Sequence, residues 1–223
     1  MNLSEAIKAR RSVRNFTDKK IEGEVERELR LIIDECNSES GLRIQLCLNE
    51  PKAFNSLMAR FGKFKNVKNY IALVGRETDD LQEKCGYYGE KVVLKAMQLG
   101  LCTCWVAVTY SKRKCAAKTK EGEKLLLVIA IGYGQTSKIP HKVKPIEQLC
   151  RVDRQMPDWF LKGMEAVQLA PTALNQQKFL FELNGNFVKA TALPGSYVNI
   201  DLGIVKYHFE IGADKSDWKW AKW

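Results

Sequence analysis

Apolar positions along this chain fall into two rhythms that alternate. Val25, Leu29, Ile32, Ile33 and Cys36 recur at i, i+4, i+7, i+8 and i+11, one stripe of an amphipathic helix. A shorter helix is expected ahead of it, from Leu3 to Arg11, with Ser4 as its N-cap. "LRIQLCL" alternates as a half-buried strand does, and "NYIALVG" is apolar enough to be buried on both faces. Val92, Val93, Ala96 and Met97 then share one helical stripe between Gly89 and Leu99, and Gly100 stands where a helix would stop. Two apolar strands follow, "LCTCWVAV" and "LLLVIAIGYG", with a basic loop around Lys112 to Lys124 between them.

Past "HKVKPIEQL" the pattern restarts in shorter form. Asp158 to Ala170 reads as a helix with Phe160, Gly163, Met164 and Val167 inward. "KFLFEL" reads as a strand, and Asn184-Gly185 as a two-residue hairpin turn into "NFVKATAL". Asp201 is then expected to cap a helix with Ile204, Val205, His208 and Phe209 on one side. "DWKWAKW" closes the chain as a short strand and tail. The order helix, strand, strand, helix, strand thus occurs once at length and once in brief, an echo of structure without repeated sequence.

Composition narrows the function classes. The 223 residues suffice for one large domain or two small ones, and 45% hydrophobic with 28% charged residues is ordinary for a globular protein. No apolar run reaches the length of a membrane span. "MNLSEAIKARRSVRNF" has neither an apolar core nor a cleavage site, so it reads as a first helix; a cytoplasmic protein without a membrane partner is expected. Seven scattered cysteines, an odd number, do not suggest a disulfide framework, and most are expected in the core. With two histidines, His141 and His208, no zinc site is expected. The net charge of +10 is spread over "KARRSVR", "KFKNVK", "SKRKCAAKTK" and "HKVK". Even with Trp218, Trp220 and Trp223 in the tail, no nucleic-acid module is legible, and no nucleic-acid partner is expected.

Four segments carry candidate chemistry. In "RRSVR", Arg10 and Arg14 lie four apart and share a face if the helix persists, with Ser12 between them. Guanidinium forks beside a hydroxyl suit a phosphate, although cations at a helix C-terminus also complement its dipole without a ligand. His141, Lys142 and Lys144 follow the "IGYG" strand, either closing on the same anion or facing solvent. "LGLCTCWVAVTY" brings backbone amides of a small-residue strand within reach of a planar ligand, with Trp105 beside that ligand or in the core. "LAPTALNQQKFLFEL" breaks a helix at Ala-Pro and sets Asn175, Gln176 and Gln177 before a strand, as an amide cradle or a plain polar turn. There is no Walker loop, G-x-G-x-x-G or nucleophile–histidine arrangement, so enzymatic chemistry here would belong to a cofactor.

Together these segments resemble the FMN-dependent nitroreductase family. The resemblance implies that Arg10, Arg11, Ser12 and Arg14 grip the FMN phosphate and ribityl chain. It implies that Cys104, Trp105, Val106, Ala107 and Val108 run beside the flavin, a backbone amide near Ala107 or Val108 facing N5, and that no side chain need be catalytic. His141, Lys142 and Lys144 would help to hold the phosphate, and Lys65 or its neighbour Lys63 would lie near the ring. Pro171, Thr172, Ala173, Asn175 and Gln177 fall on the family's "A-P-S-x-x-N-x-Q" motif, with Lys178 and Phe179 in place of its Pro-Trp. That motif ordinarily follows helix two and serves a homodimer interface; here it comes late, and the helix-two exit "DECNSESGLRIQL" lacks it. The order is similar to that of the subgroup in which one chain forms a pseudo-dimer, and "YVNIDLGIVKYHFEIGA" is similar to the family's interface helix.

The implied fold is α+β, a nitroreductase-like mixed sheet flanked by helices in two unequal halves resembling a fused dimer. Residues 1–150 would form the main FMN-binding half, and 151–223 a shorter half supplying the partner-subunit side. The implied function is an FMN-dependent oxidoreductase passing reducing equivalents from NAD(P)H to a small nitro or quinone acceptor, as a monomer or weak homodimer and without a metal. The alternative is a flavin-binding protein (a store, a sensor or a flavin-modifying enzyme) without nitroreductase turnover.

Overall fold

The longest apolar runs become the inner strands of two separate four-stranded sheets. A computed structural model describes residues 1–55, 59, 61–134, 142–214 and 218–221. Among these, five α-helices are present: α1 (Leu3–Ala9), α2 (Gly23–Ser40), α3 (Leu81–Gln98), α4 (Asp158–Gln168) and α5 (Val198–Ala213). The strands are β1 (Gln45–Cys47), β2 (Tyr70–Arg76), β3 (Cys102–Val106), β4 (Glu123–Gly132), β5 (Cys150–Val152), β6 (Phe179–Asn184), β7 (Phe187–Ala192) and β8 (Lys219–Trp220). The architecture is α+β, as the resemblance implies, with two sheets rather than one. The chain divides into two compact units: Met1, Ala9–Leu81 and Lys91–Lys138 make the first, and Asn2–Lys8, Gln82–Glu90 and Ile139–Trp223 the second.

In the first unit the sheet order is β1-β2-β4-β3, antiparallel throughout. β2 is buried along its length up to Arg76, which accounts for its unbroken apolar sequence. Its Tyr70 packs at 6.0 Å from Phe54, which meets Phe64 edge-on at 5.3 Å and Tyr110 at 6.2 Å. The Tyr70 hydroxyl accepts the Ala116 N–H at 2.7 Å, so the buried phenol is satisfied. Helix α2 buries Leu29, Ile33 and Cys36, as its stripe predicts. It ends at Gly41, whose φ of 72° suits the left-handed C-cap. The Asn37 amide then covers the free edge of the sheet, accepting from Ile44 N–H at 2.6 Å and donating to its carbonyl at 3.0 Å.

The second unit is organised around α5, which is buried on nearly every side. The first half of α3 approaches it to backbone contact, through two glycines. A Cβ on Gly86 would overlap the Ile200 carbonyl oxygen, and one on Gly203 would overlap that of Glu83 and come within 2.6 Å of Tyr87 N. α3 begins at Leu81, well ahead of the start expected at Gly89, and Gly86 within it is a contact point for α5. His208 sits fully buried, with Nδ1 at 3.0 Å from the Ala166 carbonyl and Nε2 at 3.0 Å from Glu90 Oε1, tying α5 to α4 and α3. The sheet order is β5-β6-β7-β8, with β5–β6 and β7–β8 parallel and β6–β7 antiparallel. Phe160, Phe181, Trp218 and Trp220 gather on Phe209, at ring separations from 5.1 to 5.7 Å.

Three local expectations are corrected. Asn2, not Ser4, caps α1: its Oδ1 accepts the Glu5 N–H at 2.8 Å while Glu5 Oε2 accepts the Asn2 N–H at 2.9 Å, a reciprocal capping box. The hairpin turn is Gly185-Asn186, one residue later than expected, because Asn184 pairs with Phe187 and Gly185 supplies the positive φ of 58°. Asp201 lies inside α5, which starts three residues ahead of it at Val198, and its carboxylate serves another element.

Candidate active site

The helix of the opening segment stops at Ala9, so Arg10 to Arg14 do not share a helix face. They run extended, with Ser12 bridged to Thr103 of β3 in parallel and the Val13 N–H bonded to the Thr103 carbonyl at 3.0 Å. In an extended strip alternate residues share a side, and Arg10, Ser12 and Arg14 do so. All three act on the Cys104 thiol: burial pushes its pKa up, while Arg14, Arg10 and a hydrogen bond with Ser12 pull it part of the way back. Arg10 is buried, whereas Ser12 and Arg14 are exposed. Arg11 is half-buried and donates from Nη1 to the Arg10 carbonyl at 2.8 Å.

Lys65 joins this group through its backbone. Its N–H donates to the Arg14 carbonyl at 2.9 Å, and its carbonyl accepts the Phe16 N–H at 3.2 Å. Left-handed Lys63 and Asn66, with φ of 55° and 56°, turn the chain on either side of it. The ammonium-bearing side chain stays exposed. Farther along β3, Trp105 is half-buried and Val106 buried, after which Ala107 and Val108 turn out of the sheet; Val108 is 58% exposed. A strand rise of about 3.3 Å per residue places Ala107 roughly 10 Å beyond Cys104. The first unit therefore brings Arg10, Arg11, Ser12, Arg14, Lys65 and Cys104 to Val108 onto one strand and its added edge.

The second unit assembles the others in a different manner. Gln177 is 5% exposed, and every part of it is engaged. Its N–H donates to Thr172 Oγ1 at 3.1 Å, its Oε1 accepts the Lys144 N–H at 2.8 Å, and its carbonyl accepts from Lys144 Nζ at 2.9 Å. Its Nε2 donates to the Lys142 carbonyl at 3.1 Å, as does Asn175 Nδ2 at 2.8 Å. The amides of the "NQQ" run thus bind Lys142 and Lys144 to the turn. Leu174, Asn175 and Gln177 take φ of 52°, 54° and 47°, a left-handed cluster without glycine, of the kind that collects at functional sites. Pro171, Thr172 and Ala173 are half-buried, and Leu174 is fully exposed at the tip. His141 lies outside the described residues.

Sequence reasoning did not single out Asp201 or Leu174 for this region. The signal for Asp201 was present, since an acid within "IDLGIV" breaks a run that is otherwise apolar. Among the described residues, no group of three or more potential metal ligands occurs, and no helix is long and apolar enough to cross a membrane.

Residues 2–213 match the model of the family described as "Putative TM nitroreductase". The chain belongs to this family. As a nitroreductase-family protein it is a nitroreductase-type oxidoreductase. Its fold is similar to that of a nitroreductase from Thermotoga maritima, with a TM-score of 0.67 and 23% identity over 95% of this chain and 83% of that one. Two smaller nitroreductase-type structures, from Bacteroides thetaiotaomicron and Parabacteroides distasonis, align with TM-scores of 0.51 and 0.52 at 19% identity. They match along 96% and 97% of their own length but 67% of this nitroreductase-family chain. No curated protein matches the sequence.

Proposed function

We propose that this nitroreductase-family protein is a cytoplasmic FMN-dependent oxidoreductase that passes reducing equivalents from NAD(P)H to a small nitro or quinone acceptor, with one FMN per chain. The observation that carries the cofactor is the convergence of Arg10, Ser12 and Arg14 beside Cys104, with Lys65 clipped to the Arg14 backbone. Two guanidinium groups and a hydroxyl are donors that a phosphate monoester calls for. The roughly 10 Å of strand from Cys104 to Ala107 suits a ribityl chain laid along it. On this reading the amides of Ala107 and Val108 would face the ring, where a preorganised backbone donor would stabilise negative charge on its reduced form. Bound FMN supplies the hydride chemistry.

On this reading the Thr172–Gln177 turn, braced by Lys142 and Lys144, takes the partner-subunit role that the family resemblance implies for it. The fold-level fact behind this reading is that smaller relatives align almost entirely and still leave a third of this chain unmatched. The test is to purify the chain, measure flavin per chain by visible absorbance, and mix it anaerobically with NADH or NADPH in a stopped-flow instrument. A ratio near one flavin per chain in a monomer, with fast bleaching of the flavin band, is expected. A flavin-loaded chain that neither nucleotide bleaches is a store or sensor instead, and a colourless chain that takes up no added FMN overturns the proposal.

A further inference from the structure

Asp201 is the one acid of the α5 interior that faces the Pro171–Gln177 segment. The start of α5 does not need it, because the Tyr197 carbonyl takes the N–H groups of Ile200 and Asp201 at 3.0 Å each. Its side chain is 3% exposed and turned towards the loop before β6. Oδ1 accepts the Ala173 N–H at 2.9 Å, and Oδ2 lies 3.2 Å from the same nitrogen. Oδ2 also accepts from Gln176 Nε2 at 3.0 Å, and Gln176 donates again to the Ser196 carbonyl at 2.7 Å. Ala173 and Gln176 are the two feet of the turn, and left-handed Leu174 and Asn175 stand between them. Leu174, at 101% exposure, contributes no packing that would hold such a conformation.

The match between group and site is specific. Two N–H donors converge on the side chain, and a carboxylate answers both because it is acceptor-only. An asparagine would offer one oxygen and turn its own NH2 against the other donor. Burial pushes the Asp201 carboxyl up to about 6, with the Gln176 and Ala173 bonds pulling the other way. Among the described residues, no cation is among the groups acting on it. The fold therefore keeps an ionised acid where burial opposes it.

We infer that Asp201 is a positioning residue, whose ionised carboxylate holds the Thr172–Gln177 turn in the left-handed form that flavin binding by this segment requires. The inference rests on the function proposed above. When the carboxyl is protonated, one of its oxygens becomes a donor facing donors, and the turn loosens as pH falls through about 6.

Two readouts test it, both on the full-length chain. Backbone hydrogen exchange, corrected for intrinsic rate, is followed in the peptide from Ala170 to Phe179 without flavin. Asp201→Asn is expected to speed exchange in that peptide about tenfold near pH 8 while the last turns of α5 keep their protection. FMN affinity is then titrated by fluorescence quenching near pH 8 and near pH 5. The variant is expected to bind about tenfold more weakly near pH 8 and about as well as wild type near pH 5. The phosphate of FMN itself titrates near 6, so the ratio of the two proteins decides, not either profile alone. Unchanged exchange in Asp201→Asn, or an affinity ratio equal at both pH values, overturns the inference. Should Asp201→Asn fail to fold, Gln176→Ala keeps the carboxylate and removes one donor, and a smaller rise of about threefold in the same peptide is required. If wild type takes up no FMN, the proposed function and the flavin part of the inference fall together. Exchange in the free chain still decides whether Asp201 sets the turn.

Discussion

In the first unit the Arg10–Phe16 strip is fixed by its main chain: Val13 N–H to the Thr103 carbonyl, Lys65 N–H to the Arg14 carbonyl, Phe16 N–H to the Lys65 carbonyl. Among its functional side chains Ser12, Arg14 and Lys65 are exposed. In the second unit the corresponding segment is held by side chains. Gln177, Asn175, Gln176 and Asp201 engage their amides and carboxylate with neighbouring backbone and, between Gln176 and Asp201, with each other, and the turn they hold is one that L residues avoid. The contrast means that first-unit substitutions should change what is bound, and second-unit substitutions should change shape first and binding as a consequence.

The largest expected effect falls where the second unit has no slack. Gly203→Ala drives a methyl group into the Glu83 carbonyl and to 2.6 Å from Tyr87 N, atoms of a helix backbone that cannot rotate aside. A loss of about 3 kcal/mol or more in urea denaturation is expected, at the upper end for overpacking. A loss below about 1 kcal/mol would mean that α3 and α5 part easily, and the rigid half of the comparison would break.

Next in size is an opposition in how the units answer acid. In the first unit, hydrogen bonds from Lys95, Lys124 and Arg43 hold Glu28, Glu77 and Glu123 below their ordinary range. Groups lowered in the folded state stabilise above their unfolded pKa and lose that contribution as pH falls. Asp201 has the reverse sign. Its folded value of about 6 lies above the unfolded one, so its protonated form favours folding, and that contribution is lost as pH rises from about 4 through 6. The span is at most about 3 kcal/mol. Hydrogen exchange resolved by peptide, measured from about pH 7 to pH 4, should show protection falling around Glu77 and Glu123 and rising along α5. Asp201→Asn should flatten only the second trend, and equal slopes in both proteins would remove the assignment.

The smallest change in stability, and the sharpest separation of the units, comes from a pair of variants. Arg14→Ala should weaken FMN binding by about 1.5–3 kcal/mol with the denaturation midpoint unmoved, since its side chain lies in solvent. Gln177→Ala should shift both, because it leaves the Lys144 N–H without its partner and removes one of the two donors to the Lys142 carbonyl. Calorimetric titration beside urea denaturation reads the two quantities on the same samples. If Arg14→Ala also lowered the midpoint, the distinction between a binding and a shaping half would fail.

Where a residue's partners lie nearby in the sequence, or its period is plain, the fold was legible. The stripe of α2, the four buried positions of α4 and the strands β2, β3, β4 and β6 all follow from local pattern. Errors came where a distant element overrode the local signal. The helical stripe reads from Gly89 until α5 is laid against Gly86, and Asp201 reads as a cap until Ala173 and Gln176 are found pointing at it. The "RRSVR" run shows the same limit: its chemistry can be read, but whether the helix persists through it cannot, and it is extended in the structure. Only pairing with Thr103, some ninety positions away, decides between the two. The amide cluster stands out by composition, yet what Asn175 and Gln177 bind, the backbone of residues 142 and 144, does not follow from spacing.

The cysteines described as core packing have a practical consequence of another kind. All seven are unbridged and six are buried, with burial pushing the Cys36 and Cys85 thiols up to about 12 and that of Cys47 up to about 11. Half-buried Cys115 is the exception, so a brief exposure to an alkylating reagent should mark the native chain at a single place. Longer exposure then becomes a clock. Cys85 and Cys150 belong to the second unit and the remaining four to the first, so the order in which they acquire label records which unit opens first, in an unmodified sequence.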